Sequence, residues 1–137
     1  MENVTVIHHD WTTDFDISWY KFDAINSKVH GRFMKALGLK LDGSWPLDDG
    51  AYNTITKDLK KHFENNIRTR FIITGHSLGG ALAILFPVVL ALHEQVGVLK
   101  RLIGVYTFGQ PKVGDTKFGK FMDEMLESYG VKYYICL

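Results

Sequence analysis

The chain contains 137 residues, of which 16 are Lys or Arg and 15 are Asp or Glu, so its formal net charge is +1 at pH 7. That length suits a single domain, and the even charge balance gives no support to nucleic acid or an anionic membrane as the main partner. The one cysteine, Cys136, excludes a disulfide within the chain. The first residues lack the basic and then apolar run of a secretory signal peptide, so we expect none.

The N-terminal third is predicted to contain a strand followed by a helix. Residues 14–22 alternate apolar and polar side chains, which predicts a strand with one wet face. Residues 27–39 then place their apolar side chains at helical spacing. Ser27 is the expected N-cap of this helix, and Gly38 or Gly43 is its expected end.

A histidine pair near the start of the chain is a candidate metal site that we reject. His8, His9 and Asp10 are adjacent, so their side chains would point to opposite faces of an extended backbone. No further residues follow at the spacing of metal ligands. We expect a solvated loop here, with no metal ion and no cofactor.

A turn-rich segment and a second amphipathic helix precede the most informative stretch. Residues 41–50 are rich in Gly, Asp and Pro and are predicted to form a surface loop. Residues 51–65 repeat apolar side chains at close to four-residue intervals, which predicts a helix with a solvated, lysine-rich face. The expected buried positions are Tyr52, Ile55, Leu59 and Phe63.

The chain is organised around residues 71–93. Residues 71–74 are β-branched and aromatic, as is typical of a strand buried on both faces of a parallel sheet. Residues 78–92 are 15 uncharged, mostly apolar residues, too few to span a bilayer, and are interpreted as a buried core helix. Between them lies the spacing G-x-S-x-G, formed by Gly75, His76, Ser77, Leu78 and Gly79.

This spacing predicts a nucleophile elbow, a sharp turn from a strand into a helix that exposes a serine hydroxyl at the end of the sheet. Ser77 is therefore the candidate nucleophile. Gly75 and Gly79 are expected to let the backbone pack closely on either side of it. A tight turn without chemistry is the alternative reading of the pattern.

The C-terminal third completes an alternation of strands and helices. Residues 101–108 predict a second buried strand, and 131–137 a third. Between them Asp115 is the expected N-cap of a helix over 116–129. Strands that alternate with helices build a mostly parallel sheet with helices on both faces, and active groups stand at the carboxyl ends of such strands, where Ser77 falls.

Four stretches of the chain resemble one known family. From residue 10 to about 134 the sequence is similar to the class 3 triacylglycerol lipases, the fungal-lipase-type branch of the α/β-hydrolases, and most closely to the plant oil-body lipases. The stretches are DWTTDFDISWY at 10–20, VHGRFMKALGL at 29–39, ITGHSLGGALAILFP at 73–87 and TFGQPKVGD at 107–115.

The resemblance implies a partial α/β-hydrolase fold and an ester hydrolase that acts on acylglycerols. Ser77 would be its nucleophile, and the backbone amide of Leu78 one donor of the oxyanion hole. The substrate would be a lipid, with contact at a lipid interface, no transmembrane segment and no nucleic acid. The protein would be cytoplasmic or associated with a lipid droplet or membrane.

The remaining members of a catalytic triad are not expected in this sequence. After the serine this fold places first an acid and then a histidine, and the only histidine after Ser77 is His93. Sixteen residues along a helix put it roughly 24 Å away. Asp115 is the only acid in a suitable loop, but the family's triad acid lies elsewhere.

We therefore expect residues 1–137 to be a single, truncated class 3 lipase domain. It would lack the N-terminal strand that carries the second oxyanion donor and the C-terminal part that carries the triad Asp and His. Hydrolysis would be impaired, and the alternative is a non-catalytic lipid-binding or partner-binding fragment of a lipase.

Overall fold

The computed structural model describes residues 19–40 and 49–137. The predictions for residues 1–18, including the histidine pair and most of the first strand, and for the loop at 41–48 lie outside the described residues. The elements in chain order are β1 (Trp19–Phe22), β2 (Ser27–His30), α1 (Gly31–Ala36), α2 (Ala51–Glu64), β3 (Phe71–His76), α3 (Leu78–Leu92), α4 (Val96–Leu99), β4 (Leu102–Phe108), α5 (Thr116–Ser128) and β5 (Lys132–Cys136).

The three later strands form a parallel sheet in the order β3-β4-β5. Their register places Thr74, Tyr106 and Tyr134 side by side. Two residues further along each strand, it places His76, Phe108 and Cys136 side by side. Because all three strands run the same way, their carboxyl ends meet at one edge, where Ser77 follows β3. The predicted partial α/β fold, with its mostly parallel sheet, is confirmed.

The predicted helix over residues 27–39 is wrong in its first half. Ser27–His30 is a strand that pairs antiparallel with β1, and the helix begins only at Gly31. The second side of β2 is also occupied, because the His30 amide donates to the Val113 carbonyl at 3.1 Å. Val113 is distant in sequence, and the helical spacing of the apolar residues does not reveal the short hairpin with β1. Ser27 is fully buried in the strand and caps no helix.

Gly38 ends α1 as predicted. Its φ of +81° is a left-handed conformation that favours glycine. The Gly38 amide donates to Lys35 O and the Leu39 amide donates to Met34 O, which satisfies two carbonyls at the helix end. A Cβ on Gly38 would also lie 2.5 Å from the Cα of Gly50, so this glycine lets the two helices α1 and α2 meet.

Helix α2 confirms the second helix prediction, with one shift of its buried face. Tyr52 and Phe63 are buried, whereas Ile55 is 44% exposed and Thr56 takes the inward position. The Thr56 hydroxyl donates to the Tyr52 carbonyl at 2.7 Å. That bond satisfies the buried hydroxyl, which explains how a threonine is tolerated there.

Helix α3 is the buried core helix that the sequence predicts. All residues from Gly80 to Leu90 except Leu82 are buried, and the helix packs on both β3 and β4. Tyr52 of α2 packs against Phe86 with ring centroids 5.5 Å apart. No helix within the described ranges is long and apolar enough to cross a membrane.

The prediction that β3 is buried on both faces is wrong for the described part of the chain. Ile72 is 56% exposed and Thr74 and His76 are exposed, whereas Ile73 is half-buried against the core. On β4, Val105 shares the face of Ile73 and is fully buried. Within residues 19–40 and 49–137 the helices thus cover one face of the sheet.

Candidate active site

Ser77 occupies a strained turn between β3 and α3. Its φ of 52° and ψ of −119° lie outside the regions that non-glycine residues normally adopt. Such a conformation costs about 1 to 3 kcal/mol and is concentrated at functional sites. The Ser77 amide donates to the Phe108 carbonyl at 2.8 Å, and the Ser77 carbonyl accepts from Ala81 N at 3.2 Å. The turn is therefore fixed to the neighbouring strand on one side and to the helix on the other.

The two glycines of the pattern have different roles. A Cβ on Gly75 would lie 2.1 Å from the carbonyl oxygen of Gly79, a distance that no side chain tolerates. A Cβ on Gly79 would meet nothing within 4 Å. Gly75 therefore lacks a side chain because the first turn of the helix passes over it, and Gly79 contributes its backbone to that contact.

Leu78 is the first residue of α3, directly after the serine. The first amides of a helix have no acceptor within the helix, and the helix dipole adds a partial positive charge at this end. The Leu78 amide is thus available to donate to an anion that forms beside Ser77. The Leu78 side chain is 37% exposed. Its role as oxyanion donor stays a prediction.

The described histidines do not supply a base for Ser77. His93 caps the far end of α3, where its Nδ1 lies 3.3 Å from the Tyr52 hydroxyl. Burial lowers the pKa of His93 below its ordinary 6.5. The ring of His76 is exposed, with Nε2 3.8 Å from the position that a Cβ on Gly109 would take. No hydrogen bond in the described part of the chain joins His76 to Ser77.

The other two described histidines precede the serine, and each contacts a helix of the N-terminal half. His30 packs edge-on against Phe33, with centroids 5.8 Å apart. Burial lowers the pKa of His30, and the positive charge of Lys112 is the second, smaller cause of that lowering. His62 is exposed on α2, where its Nδ1 lies 2.8 Å from the Asp58 carbonyl oxygen.

The acidic residues after Ser77 either cap a helix or are exposed to solvent. Both carboxylate oxygens of Asp115 accept backbone amides, one from Phe118 at 2.9 Å and the other from Lys28 at 2.9 Å. Asp115 is therefore the N-cap of α5, as predicted, and also ties β2 to it. Asp123, Glu124 and Glu127 are exposed on that helix, away from the strand ends. Among the described residues no three potential ligands cluster as a metal site.

One pair of residues behind the elbow was not predicted from the sequence. The Tyr133 hydroxyl donates to Gln110 Oε1 at 2.7 Å. Gln110 follows β4 by two residues, and its Cβ lies 3.3 Å from the position that a Cβ on Gly80 would take. Its place in the turn after a strand end, within the family-like stretch at 107–115, was a signal for Gln110 alone, because Tyr133 is 23 residues further on.

Comparison with known proteins gives one consistent result. The family described as Lipase (class 3) matches residues 3–136. The triacylglycerol lipase OBL1 of Arabidopsis thaliana is 38% identical over 91% of this chain and 29% of its own length, and OBL1 of Nicotiana tabacum is 33% identical over 91% and 33%. The chain thus spans about a third of the length of these curated relatives.

Solved structures agree with the sequence relatives. The chain is similar to the lipase of Rhizomucor miehei in its native propeptide complex, with a TM-score of 0.66 and 27% identity over 93% of this chain and 36% of that one. Together with the strained serine at the end of a parallel strand, the matches place the chain in the class 3 lipase family of α/β-hydrolases.

Proposed function

We propose that the chain carries the nucleophile of an ester hydrolase that acts on acylglycerols, and that Ser77 accepts the acyl group. The observation that carries this proposal is the conformation of Ser77, held at φ 52° between a parallel strand and a buried helix. A turn without chemistry gains nothing from such strain. The relatives in Arabidopsis thaliana and Nicotiana tabacum are triacylglycerol lipases, which supports the substrate class.

The reaction begins when Ser77 Oγ attacks the ester carbonyl carbon and the carbonyl electron pair moves to oxygen. The Leu78 amide donates a hydrogen bond to that oxyanion. When the tetrahedral intermediate collapses, the ester C–O bond breaks and the glyceride alkoxide leaves as the alcohol, taking up the proton that Ser77 gave to its acceptor. The acyl group remains on Ser77 until water hydrolyses it to a fatty acid.

The proton that leaves Ser77 needs an acceptor, and the described residues bring no histidine to the serine. Members of a catalytic triad act as a unit, so a serine without its oriented histidine reacts orders of magnitude more slowly. Our proposal therefore includes slow turnover by these 137 residues, with solvent or a group outside the described ranges as the proton acceptor.

The test is release of fatty acid from emulsified tributyrin, with the chain in excess so that a single slow turnover is visible. We expect release that exceeds the release by a Ser77→Ala variant of equal stability. Ser128→Ala is a matched control, because Ser128 is the last residue of α5 and donates to Met125 O on the same helix. Equal release by the parent chain and Ser77→Ala, both folded, would contradict the proposal.

A second candidate function is lipid binding without hydrolysis. It is favoured by apolar side chains exposed at or next to the strand ends, where Phe108 is 44% and Ile135 50% exposed. The Phe108 carbonyl accepts from the Ser77 amide, so this end of β4 lies beside the serine turn. Co-flotation with a triacylglycerol emulsion measures this binding. Binding that Phe108→Ser weakens, in a chain that releases no fatty acid, would replace the hydrolase proposal with this one.

A further inference from the structure

A hydrogen bond between β5 and the turn after β4 joins two residues that the proposed chemistry does not use. Tyr133 lies in β5 and donates its hydroxyl to Gln110 Oε1, at 2.7 Å, in a partly buried setting. Burial is the largest influence on the Tyr133 pKa and raises it, so the hydroxyl keeps its proton and remains a donor at neutral pH.

Gln110 lies directly against the first turn of α3. Both its Cα and its Cβ approach the position that a Cβ on Gly80 would take, at 3.4 and 3.3 Å. Gly80 is the third residue of α3 and is buried. The stem of Gln110 thus lies beside the turn whose first residue, Leu78, carries the proposed oxyanion donor.

Two backbone hydrogen bonds fix the strand ends at the same level. The Ser77 amide donates to Phe108 O at 2.8 Å, and the Gly109 amide donates to Cys136 O at 2.7 Å. They join β3 to β4 and β4 to β5, but both lie within the sheet layer. The contact of Gln110 with Gly80 instead joins the sheet edge to the helix layer.

We propose that Tyr133 and Gln110 are positioning residues for the reaction at Ser77. Their hydrogen bond holds the loop after β4 against Gly80 and so fixes the Leu78 amide relative to the serine hydroxyl. This inference rests on the proposed function, because its consequence is a rate at Ser77. Neither side chain touches the reacting atoms.

The experiment uses the full 137-residue chain and a double-mutant cycle of Tyr133→Phe and Gln110→Met, both of which keep the shape of the side chain. The first readout is the saturable rate at which a fluorophosphonate modifies Ser77, followed by mass spectrometry. The second is the set of backbone amide NMR resonances of Leu78, Gly79 and Gly80. Tyr134→Phe is the control, since Tyr134 is exposed and stacks on Tyr106 on the other face of the sheet.

We expect each single variant to lower the maximal rate about five- to tenfold, the size of one hydrogen bond, with the half-saturating concentration unchanged. The double variant should lose no more than either single variant, because both remove the same bond. The three amide resonances should shift, those of Leu92 at the other end of α3 should not, and Tyr134→Phe should change neither rate nor resonances.

The outcomes separate this inference from the proposed function. Unshifted resonances at Leu78, Gly79 and Gly80 in Tyr133→Phe overturn it, and so do shifted resonances with an unchanged maximal rate. Additive losses in the double variant overturn it as well. If the folded parent chain is never modified, the proposed function fails and the rate consequence fails with it, whereas the resonances still decide whether the pair positions the turn.

Discussion

Gly75 and Gly79 stand two residues on either side of Ser77, and only the first is pressed against other backbone. Gly75→Ala would put its Cβ 2.1 Å from Gly79 O, so the elbow must open. We expect a loss of about 3 kcal/mol in the free energy of unfolding, with Ser77 no longer reactive. Urea unfolding followed by circular dichroism measures the loss.

Gly79→Ala is the matched control, because its Cβ meets nothing within 4 Å. We expect the free energy of unfolding of this variant to exceed that of the parent chain by about 1 kcal/mol or less, because alanine favours a helix more than glycine does. Equal losses in the two variants would show that the contact between Gly75 and the helix is wrongly placed.

His93 makes the stability of the chain depend on pH. Burial lowers its pKa below the ordinary 6.5, so the folded state favours the neutral ring. The stability that this ring contributes is therefore present above pH 6.5 and is lost as the pH falls below 6.5 toward the lowered folded value. His30, whose pKa is lowered first by burial and then by Lys112, acts in the same direction.

We expect the free energy of unfolding to be smaller at pH 5.5 than at pH 7.5. His93→Gln should reduce that difference. Urea titrations at the two pH values decide this. A difference that His93→Gln does not alter would rule out His93 as a source of the pH dependence.

Among the elements, helix α5 depends on a cap that also fastens a distant strand. Asp115 accepts the amides of Phe118 and Lys28, and its own amide donates to Lys28 O at 3.0 Å. Asp115→Ala should cost about 2 kcal/mol, the upper end for loss of an N-cap, because two amides lose their acceptor.

Asp115→Asn, which keeps one acceptor oxygen, should lose less than Asp115→Ala. Asp123→Ala, at an exposed position on the same helix, should stay within about 0.5 kcal/mol of the parent chain. Thermal and urea unfolding measure all three variants. A loss confined to about 0.5 kcal/mol in Asp115→Ala would exclude the double role of this carboxylate.

The elements also show what the sequence can predict and what it cannot. Helices α2, α3 and α5 follow from spacing and caps that lie within each segment, and all three are confirmed. Strand β2 was predicted to be helical because its apolar residues fit a helix, whereas its backbone is bonded to β1 and to Val113. The pairing with β1 is a local hairpin that the helical spacing hides, and the bond to Val113 is a tertiary contact, so context overrides local preference.

The candidate site likewise contains some residues that the sequence predicts and others that it does not. Ser77 and its turn are local and were predicted from five residues, and the strained φ agrees with that prediction. The pair of Tyr133 and Gln110 is separated by 23 residues, so only the register of β5 against β4 brings it together. The exposed face of β3 was also mispredicted, because burial of a strand depends on which elements lie on each side.

For the whole molecule, the structure predicts that the two faces of the sheet respond differently to a charge. Ile72 is 56% exposed, and Ile73, on the opposite face, packs against the core. Ile72→Lys should change the free energy of unfolding by about 0.5 kcal/mol or less. Ile73→Lys should cost about 3 kcal/mol or more, because it carries a charge toward the apolar layer under α3.

Urea unfolding of the two variants, at matched protein concentration, measures this difference. Equal and large losses would mean that the face of Ile72 is covered in solution. Two small losses would contradict the packing of the helices on the other face.

The proposed function depends most on one property of the elbow, that it makes Ser77 a reactive nucleophile. The direct measurement is incubation of the folded chain with a fluorophosphonate over hours, followed by peptide mass spectrometry, which detects even a slow stoichiometric reaction. We predict one phosphonyl group, on Ser77, none on the other serines, and none in Ser77→Ala. A folded chain in which Ser77 stays unmodified, or is modified no faster than Ser128, would contradict the account.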